Sequence, residues 1–221
     1  MTGSGTVVVA VMVRAPLPGR VKTRLIPALG PTGACQLYLA MVADIFANIG
    51  QCGLPPRLFY DGSEIDLPWA WLDVAARVQP QRGGDIGERM AAVFTDCFAA
   101  GADSVILVGS DIPALDATVI NQAADALTSH DAVLVPVEDG GYCLIALHRA
   151  TFRVELFVNI PWSTDQVLAQ TQGRLETLAL KTALLPPLRD IDTPDDLFAY
   201  RSNPAPKATM TNQMIAYLLP V

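Results

Sequence analysis

The sequence has little of the chemistry from which zinc sites, disulfide scaffolds and histidine-based catalytic centres are built. Its 221 residues include only two histidines and four cysteines, the latter being Cys35, Cys52, Cys97 and Cys143. The cysteines form no C-x-x-C pair, which argues against a zinc ribbon or a thioredoxin-like site. His130 and His148 have no metal-ligand spacing, and we expect both to be structural. Free, widely spaced thiols indicate a reducing, cytoplasmic compartment.

Long hydrophobic runs and an excess of basic residues are also missing. The longest early apolar run, from Thr6 to Val13, is eight residues and too short to cross a bilayer. Fifteen lysines and arginines stand against 22 acidic residues, and the resulting net charge of −7 repels the phosphate backbone of nucleic acids. We therefore expect neither a membrane nor a nucleic acid as a partner.

The chain does have apolar segments in the order typical of an α/β protein. Strands are predicted at 7–13, 57–60, 104–108, 132–137 and 142–147. Helical patterns alternate with them and are predicted to begin at Pro31, Asp116, Thr193 and a Ser163-x-x-Gln166 capping box. This order predicts a single-domain, Rossmann-like α/β fold over 1–202, with a mainly parallel central sheet and helices on both faces. A weakly patterned tail, 203–221, follows.

The loop after the first strand concentrates positive charge. Although the chain as a whole is acidic, 11 consecutive residues contain four cations: Arg14, Arg20, Lys22 and Arg24. Gly19 in the same loop allows the backbone to approach a ligand. In parallel sheets, ligands bind beyond the carboxyl ends of the strands, so these cations are placed to bind a diphosphate or triphosphate. The alternative is a solvated basic loop that forms surface ion pairs.

Three acidic segments also follow predicted strands. Asp111 comes after an apolar strand and could join Mg²⁺ or Mn²⁺ to ligand phosphates, although a turn aspartate is the simpler interpretation. Asp190 and Asp192 could supply a second carboxylate near the same site; the alternative is that they cap a helix. Asp139, in Glu138–Tyr142 between two strands, could bind a hydroxyl group or act as a base; otherwise its Asp-Gly sequence is a hairpin turn.

Six motifs together carry a resemblance to a known family over residues 6 to about 200: VRAPLPGRVKTRLIPALG, QRGGDIGERM, VILVGSDIPAL, VPVEDGGYCLIAL, LFVNIPWST and RDIDTPDDL. In this order they resemble a GT-A-like family labelled nucleotide-diphospho-sugar transferases or arsenosugar-biosynthesis glycosyltransferases. The chain is more distantly similar to molybdenum-cofactor and 2-phospholactate guanylyltransferases. The resemblance implies a GT-A fold, with the nucleotide over the N-terminal half and the acceptor over the C-terminal half.

The resemblance also implies roles for individual residues. Nucleotide contacts would come from Arg14, Lys22, Thr23, Arg24, Gln81, Gly83, Asp85 and Arg89. The acceptor pocket would be lined by Asp139, Gly140, Gly141, Tyr142 and Trp162. Asp111 and Asp192 would hold Mg²⁺ or Mn²⁺, and Asp111, Asp139 and Lys22 would take part in catalysis. The sequence departs from the pattern in two places: Arg14 replaces the more usual lysine, and Gly-Ser-Asp supplies one acid where many GT-A enzymes have Asp-x-Asp.

Three functions follow as hypotheses. The first is metal-dependent transfer of a glycosyl group from a nucleotide sugar to a small acceptor. The second is nucleotidyl transfer from a nucleoside triphosphate to a phosphorylated small acceptor, with release of pyrophosphate. The third is nucleotide binding without turnover. A homodimer contact is a further hypothesis, through Trp69 and Trp71 or through the apolar tail, which could equally pack on its own domain.

Overall fold

The computed structural model describes residues 5–54 and 56–220; the first four residues of the predicted domain lie outside this range. Its strands are β1 (Val7–Arg14), β2 (Arg57–Asp61), β3 (Arg77–Pro80), β4 (Ser104–Val108), β5 (Ala132–Pro136), β6 (Tyr142–His148) and β7 (Thr182–Leu184). They form one sheet in the order β3-β2-β1-β4-β6-β5-β7. Only β6 runs antiparallel to its neighbours among these strands. The predicted mainly parallel sheet is confirmed.

The helices are α1 (Ile26–Gln51), α2 (Trp69–Val74), α3 (Ile86–Ala99), α4 (Ala117–Leu127), α5 (Val167–Thr177), α6 (Pro194–Ser202) and α7 (Thr209–Leu218). They cover both faces of the sheet, as predicted. Alternate residues of the central strands separate the two cores: Val9 and Val11 face α1, α2 and α4, whereas Val8 and Ala10 face α3 and α5. Strands buried on both faces must be apolar at every position, which is why β1 and β4 are continuous apolar runs.

Helix α1 is apolar around most of its circumference because it is buried on two sides. One side packs on the sheet, and the other packs on α6 and α7 through Leu37, Met41 and Leu197. By length and composition, the stretch Thr23–Gln51 could also cross a membrane, and half of its most apolar window is buried here. The helix is interrupted at Gly30, whose φ of 67° breaks the helical path just before Pro31. The helix start predicted at Pro31 thus coincides with this interruption of α1.

The structure corrects several predictions from sequence. Ser163 does not cap a helix: its φ is +63°, whereas an N-cap needs extended backbone, and α5 begins only at Val167. Strands β3 and β7 were not predicted. The predicted tail contains helix α7, which packs on α1. Trp71 is buried edge-on to Tyr38 and Phe46 and is therefore unavailable for a dimer contact.

Asp44 holds helix α7 against α1 through two hydrogen bonds. This α1 residue is only 4% exposed, and its two carboxylate oxygens accept hydrogen bonds from the backbone N–H groups of Met210 (2.9 Å) and Thr211 (2.8 Å). These groups open the first turn of α7 and have no partner within the helix. A carboxylate there also interacts favourably with the positive end of the helix dipole.

Replacing Asp44 with alanine should therefore lower the free energy of unfolding by about 2–3 kcal/mol, because two N–H groups lose their acceptor. Asp44→Asn keeps one acceptor oxygen and should cost less. Urea unfolding followed by circular dichroism measures the change. Asp73→Ala, at an exposed acid on α2, is the control and should change stability by less than about 0.5 kcal/mol. An Asp44→Ala value equal to that of the control would contradict this role.

Candidate active site

A cleft of about 820 Å³ opens at the carboxyl ends of β1, β2 and β4. The cleft is lined by the loop after β1, by the β5–β6 turn and by residues between Trp162 and Val167. The segment between β7 and α6 contributes Asp190 and Asp192. A cavity of this size accommodates a nucleotide or a nucleotide sugar. The sheet thus gathers segments that are far apart in sequence around one opening.

Lys22 lies between two of the predicted acids. Its Nζ is 2.7 Å from Asp192 Oδ1 and 3.3 Å from Asp111 Oδ2. The lysine side chain is 5% exposed, whereas those of Asp111 and Asp192 are 41% and 36% exposed. Burial lowers the pKa of Lys22, but the two carboxylates together raise it above its ordinary value. The ammonium group is therefore charged and buried, with both partners facing the cleft.

The backbone of Lys22 is in the left-handed region, with φ 46° and ψ 45°. A lysine in this conformation costs about 1–3 kcal/mol unless surrounding contacts hold it there. The 3₁₀ turn Thr23–Leu25 begins immediately afterwards, and Leu25 is fully buried against α1. The strain and the ion pairs thus occur at one residue, which is typical of functional sites.

Tyr38 of α1 joins the loop after β1 to the loop after β4. Its hydroxyl oxygen accepts a hydrogen bond from the Arg14 backbone N–H (2.8 Å) and forms a second hydrogen bond with Ser110 Oγ (3.1 Å). Burial raises the pKa of Tyr38, so the hydroxyl remains protonated. Because Ser110 precedes Asp111, Tyr38 fixes the spacing between the cationic and acidic loops.

A capping box orients Asp192. Thr193 Oγ1 accepts a hydrogen bond from the Asp196 backbone N–H, and Asp196 Oδ2 accepts from the backbone N–H groups of Thr193 and Asp192. Burial acts to raise the pKa of Asp196, but the Thr193 hydroxyl group, which donates to Asp196 Oδ2 at 2.7 Å, and the two backbone N–H groups lower it below its ordinary value. Helix α6 therefore begins with Thr193 as its N-cap, as predicted. The same capping box also holds the backbone of Asp192, which contacts Lys22.

The far side of the cleft is acidic. Burial raises the pKa of Asp190 to about 6, and the charges of Asp192, Asp139 and Asp111 add to this effect against the opposing charge of Lys22. Asp139 Oδ1 accepts a hydrogen bond from the Gly141 backbone N–H (3.0 Å), which closes the β5–β6 turn. The turn interpretation of Asp139 thus holds, and its carboxylate also lines the cleft.

The structure brings four of the predicted nucleotide residues to the wall beside Lys22: Arg14, Thr23, Arg24 and Arg89. Asp61 at the end of β2 holds two of these cations, with its Oδ2 3.3 Å from Arg14 Nε and 3.1 Å from Arg89 Nη1. Gln81 also lines the cleft, but its Nε2 donates to the backbone oxygens of Val13 and Phe59. Its amide nitrogen therefore bridges strands.

Three of the predicted contact residues do not line the cleft: Gly83, Asp85 and Gly140. Asp85 caps α3 by accepting from the Glu88 backbone N–H at 2.8 Å, so its carboxylate has a structural partner. On the acceptor side, Gly141, Tyr142 and Trp162 line the cleft. Tyr38, Asp61 and Ser110 were missed from sequence; only the strand-end position of Asp61 could have indicated it.

The donor set fits a divalent cation only in part. Within 5–54 and 56–220, no group of three or more His, Cys, Asp or Glu side chains converges as a metal cluster. Asp111 and Asp192 supply two carboxylates, both facing the cleft. Mg²⁺ is commonly bound by one or two carboxylates, with phosphate oxygens and water completing its shell. The pair therefore fits a metal that binds together with a nucleotide.

Several solved structures with the same fold are named as transferases. A "putative nucleotide-diphospho-sugar transferase" from Desulfovibrio desulfuricans G20 is 28% identical, with a TM-score of 0.84 over 96% of this chain and 97% of that one. An inositol-1-phosphate CTP transferase from T. maritima is 14% identical (TM-score 0.55, 96% and 97% covered). Glucosyl-3-phosphoglycerate synthase from Mycobacterium tuberculosis, in complex with Mn²⁺, UDP and glucosyl-3-phosphoglycerate, is 15% identical (TM-score 0.53, 98% and 79% covered).

The comparisons support an enzyme of the transferase class with the nucleotide-sugar transferase fold. Residues 47–164 match the model of the family described as "uncharacterized protein conserved in bacteria (DUF2064)". The chain belongs to this family. No curated protein matches the sequence.

The β5–β6 turn requires a glycine at position 140. Its φ is +88°, and a Cβ there would lie 2.2 Å from the backbone oxygen of Asp165. Gly140→Ala should therefore push the turn away from the segment before α5 and lower the free energy of unfolding by at least about 1–3 kcal/mol, the usual cost of such a backbone conformation alone. Gly141→Ala is the matched control, since its Cβ would meet no atom closer than 3.2 Å. Thermal unfolding of both variants tests the difference; equal Tm values would refute it.

Proposed function

We propose that the protein transfers a glycosyl group from a nucleoside-diphosphate sugar to a small acceptor, with the help of a divalent cation. The observation that carries this proposal is the buried Lys22 ammonium between Asp111 and Asp192 in a cleft of about 820 Å³. Cationic and acidic groups at one point can neutralise a diphosphate and hold its counter-ion. The name of the D. desulfuricans relative supports a nucleotide-sugar donor.

In this reaction an acceptor hydroxyl attacks the anomeric carbon, and the bond from that carbon to the β-phosphate oxygen breaks. The nucleoside diphosphate leaves with the bonding electrons, and Lys22 and Arg24 stabilise its charge. Asp139 takes the proton from the attacking hydroxyl. Mg²⁺ or Mn²⁺ held by Asp111 and Asp192 would supply further positive charge for the leaving phosphates. Arg14, Thr23 and Arg89 bind the rest of the nucleotide.

Nucleotidyl transfer is the second candidate, and the cationic loop after β1 favours it. A triphosphate carries more charge than a diphosphate, and Arg14, Lys22 and Arg24 all line one wall of the cleft. Here an acceptor phosphate would attack the α-phosphorus and pyrophosphate would leave. The neighbouring acids Asp139 and Asp190 argue for the first candidate, because they repel a phosphorylated acceptor more than a neutral hydroxyl.

Exchange of either cleft acid for its amide should abolish most activity without unfolding the protein. Asp111→Asn and Asp192→Asn should each lower kcat by about 10²–10³, because charge stabilisation at the phosphates is lost. Each variant leaves Lys22 with the other carboxylate, so the protein should remain folded, with a Tm lowered by the loss of one ion pair to the buried ammonium. The control is Asp195→Asn, an exposed acid in the first turn of α6. Full activity in Asp111→Asn would rule out the proposed role of this carboxylate.

The released product separates the candidates. Purified protein with Mn²⁺ is first screened by thermal shift against nucleoside triphosphates and nucleotide sugars, because a bound ligand raises Tm by mass action. The stabilising donors are then incubated with a panel of small hydroxylated and phosphorylated acceptors. Nucleoside diphosphate as the product supports glycosyl transfer, and pyrophosphate overturns it in favour of nucleotidyl transfer. Binding without either product across the panel would favour the non-catalytic alternative.

A further inference from the structure

The ammonium group of Lys22 occupies the space between the two carboxylates that the proposed function assigns to a divalent cation. It contacts Asp192 Oδ1 at 2.7 Å and Asp111 Oδ2 at 3.3 Å. A divalent cation bound to the same two oxygens would lie against the ammonium nitrogen, where two positive charges repel strongly. The ammonium and the metal therefore compete for one place.

We propose that Lys22 is a built-in counter-cation that keeps divalent metal out of the cleft in the absence of nucleotide, and that nucleotide phosphates release Asp111 and Asp192 by binding Lys22 in their place. Metal and nucleotide then bind as a pair. This inference rests on the proposed function for its nucleotide, but the competition between Lys22 and metal concerns the chain alone. Lys22 thereby couples the binding of the metal to the binding of the nucleotide.

Burial is what makes Lys22 an effective competitor. Its side chain is 5% exposed, so an ammonium group that lost both carboxylates would remain buried without a partner, which is unfavourable. Arg24 approaches Asp192 Oδ2 only at 3.7 Å and is 68% exposed, so it can turn to solvent at little cost. Metal arriving alone must displace the buried lysine, and the loss of those ion pairs opposes its binding.

Phosphate oxygens remove this penalty. An ammonium group has three N–H donors and can exchange carboxylate oxygens for phosphate oxygens without losing its charge interactions. The same phosphates supply ligands to the metal. Because coupling between two ligands is reciprocal, a nucleotide should raise metal affinity by the factor by which metal raises nucleotide affinity.

Mn²⁺ binding to the full chain without nucleotide tests the proposal, with free Mn²⁺ measured by electron paramagnetic resonance. Lys22→Met keeps the length of the side chain but removes its charge. We expect it to lower the Kd for Mn²⁺ at least tenfold relative to the wild type. The matched control is Arg20→Met, which removes one charge from the same loop at an exposed position outside the cleft lining. Its Kd should remain within about twofold of wild type.

An unchanged or weaker Kd in Lys22→Met, or no detectable Mn²⁺ binding to it, overturns the proposal. Equal tightening in Arg20→Met also overturns it, because the effect would then be one of general charge. If Lys22→Met does not fold by circular dichroism, Lys22→Gln replaces it with the same expected result. These measurements need no turnover: inactivity with every donor would refute the proposed reaction while leaving the metal result intact.

Discussion

The ion pairs of Lys22 are the interaction on which the site depends. They join residue 22 to Asp111 and Asp192, which lie 89 and 170 positions further along the chain. One buried charge thus fixes the relative positions of three loops, each following a different strand. The acids cannot relax away from each other without leaving an ammonium group unpaired, and the lysine cannot move without a replacement anion. The cleft is therefore preorganised around a place where anionic oxygens and a cation meet.

Sheet topology explains how these loops reach one edge. Strands β1 and β4 are parallel, so the cationic loop and the Asp111 loop leave the same edge. Strand β6 is antiparallel to both β4 and β5, which makes β5 parallel to β4 and sends the turn with Asp139 to that edge as well. Strand β7 pairs in parallel with β5, and the segment after it carries Asp190 and Asp192. Because β6 is antiparallel, the acidic segments that follow β5 and β7 lie at the same edge of the sheet as the cationic loop that follows β1.

The sequence predicts the parts of this molecule in which local pattern and final environment agree. Central strands such as β1 and β4 are buried on both faces and read as apolar runs, whereas β3 and β7 are short edge strands with little apolar pattern. The charged residues at strand ends predicted the meeting of Lys22, Asp111 and Asp192. Tyr38 escaped prediction because it lies in the apolar pattern of α1, which indicates only a core residue, although its hydroxyl group contacts two loops. Asp61 ends a strand, but nothing in its local sequence indicates the two arginines that it contacts. Asp85 shows the opposite failure: the resemblance suggested a ligand contact, but local geometry uses its carboxylate as a helix cap.

The uneven charge of the cleft bears on which bond is broken. Both candidate reactions need cations beside a diphosphate, so the wall with Lys22 and Arg24 serves either one. They differ in the acceptor, which in our proposal approaches from the side of Asp139 and Asp190. Burial raises the pKa of Asp190 to about 6, the negative charges of Asp192, Asp139 and Asp111 add to this effect, and a phosphate group would bring further negative charge. The nearby Arg189 contacts Glu138 at 2.6 Å, so part of its positive charge is balanced by that carboxylate. A neutral hydroxyl acceptor meets no such repulsion, and this is the electrostatic reason for proposing glycosyl transfer over nucleotidyl transfer.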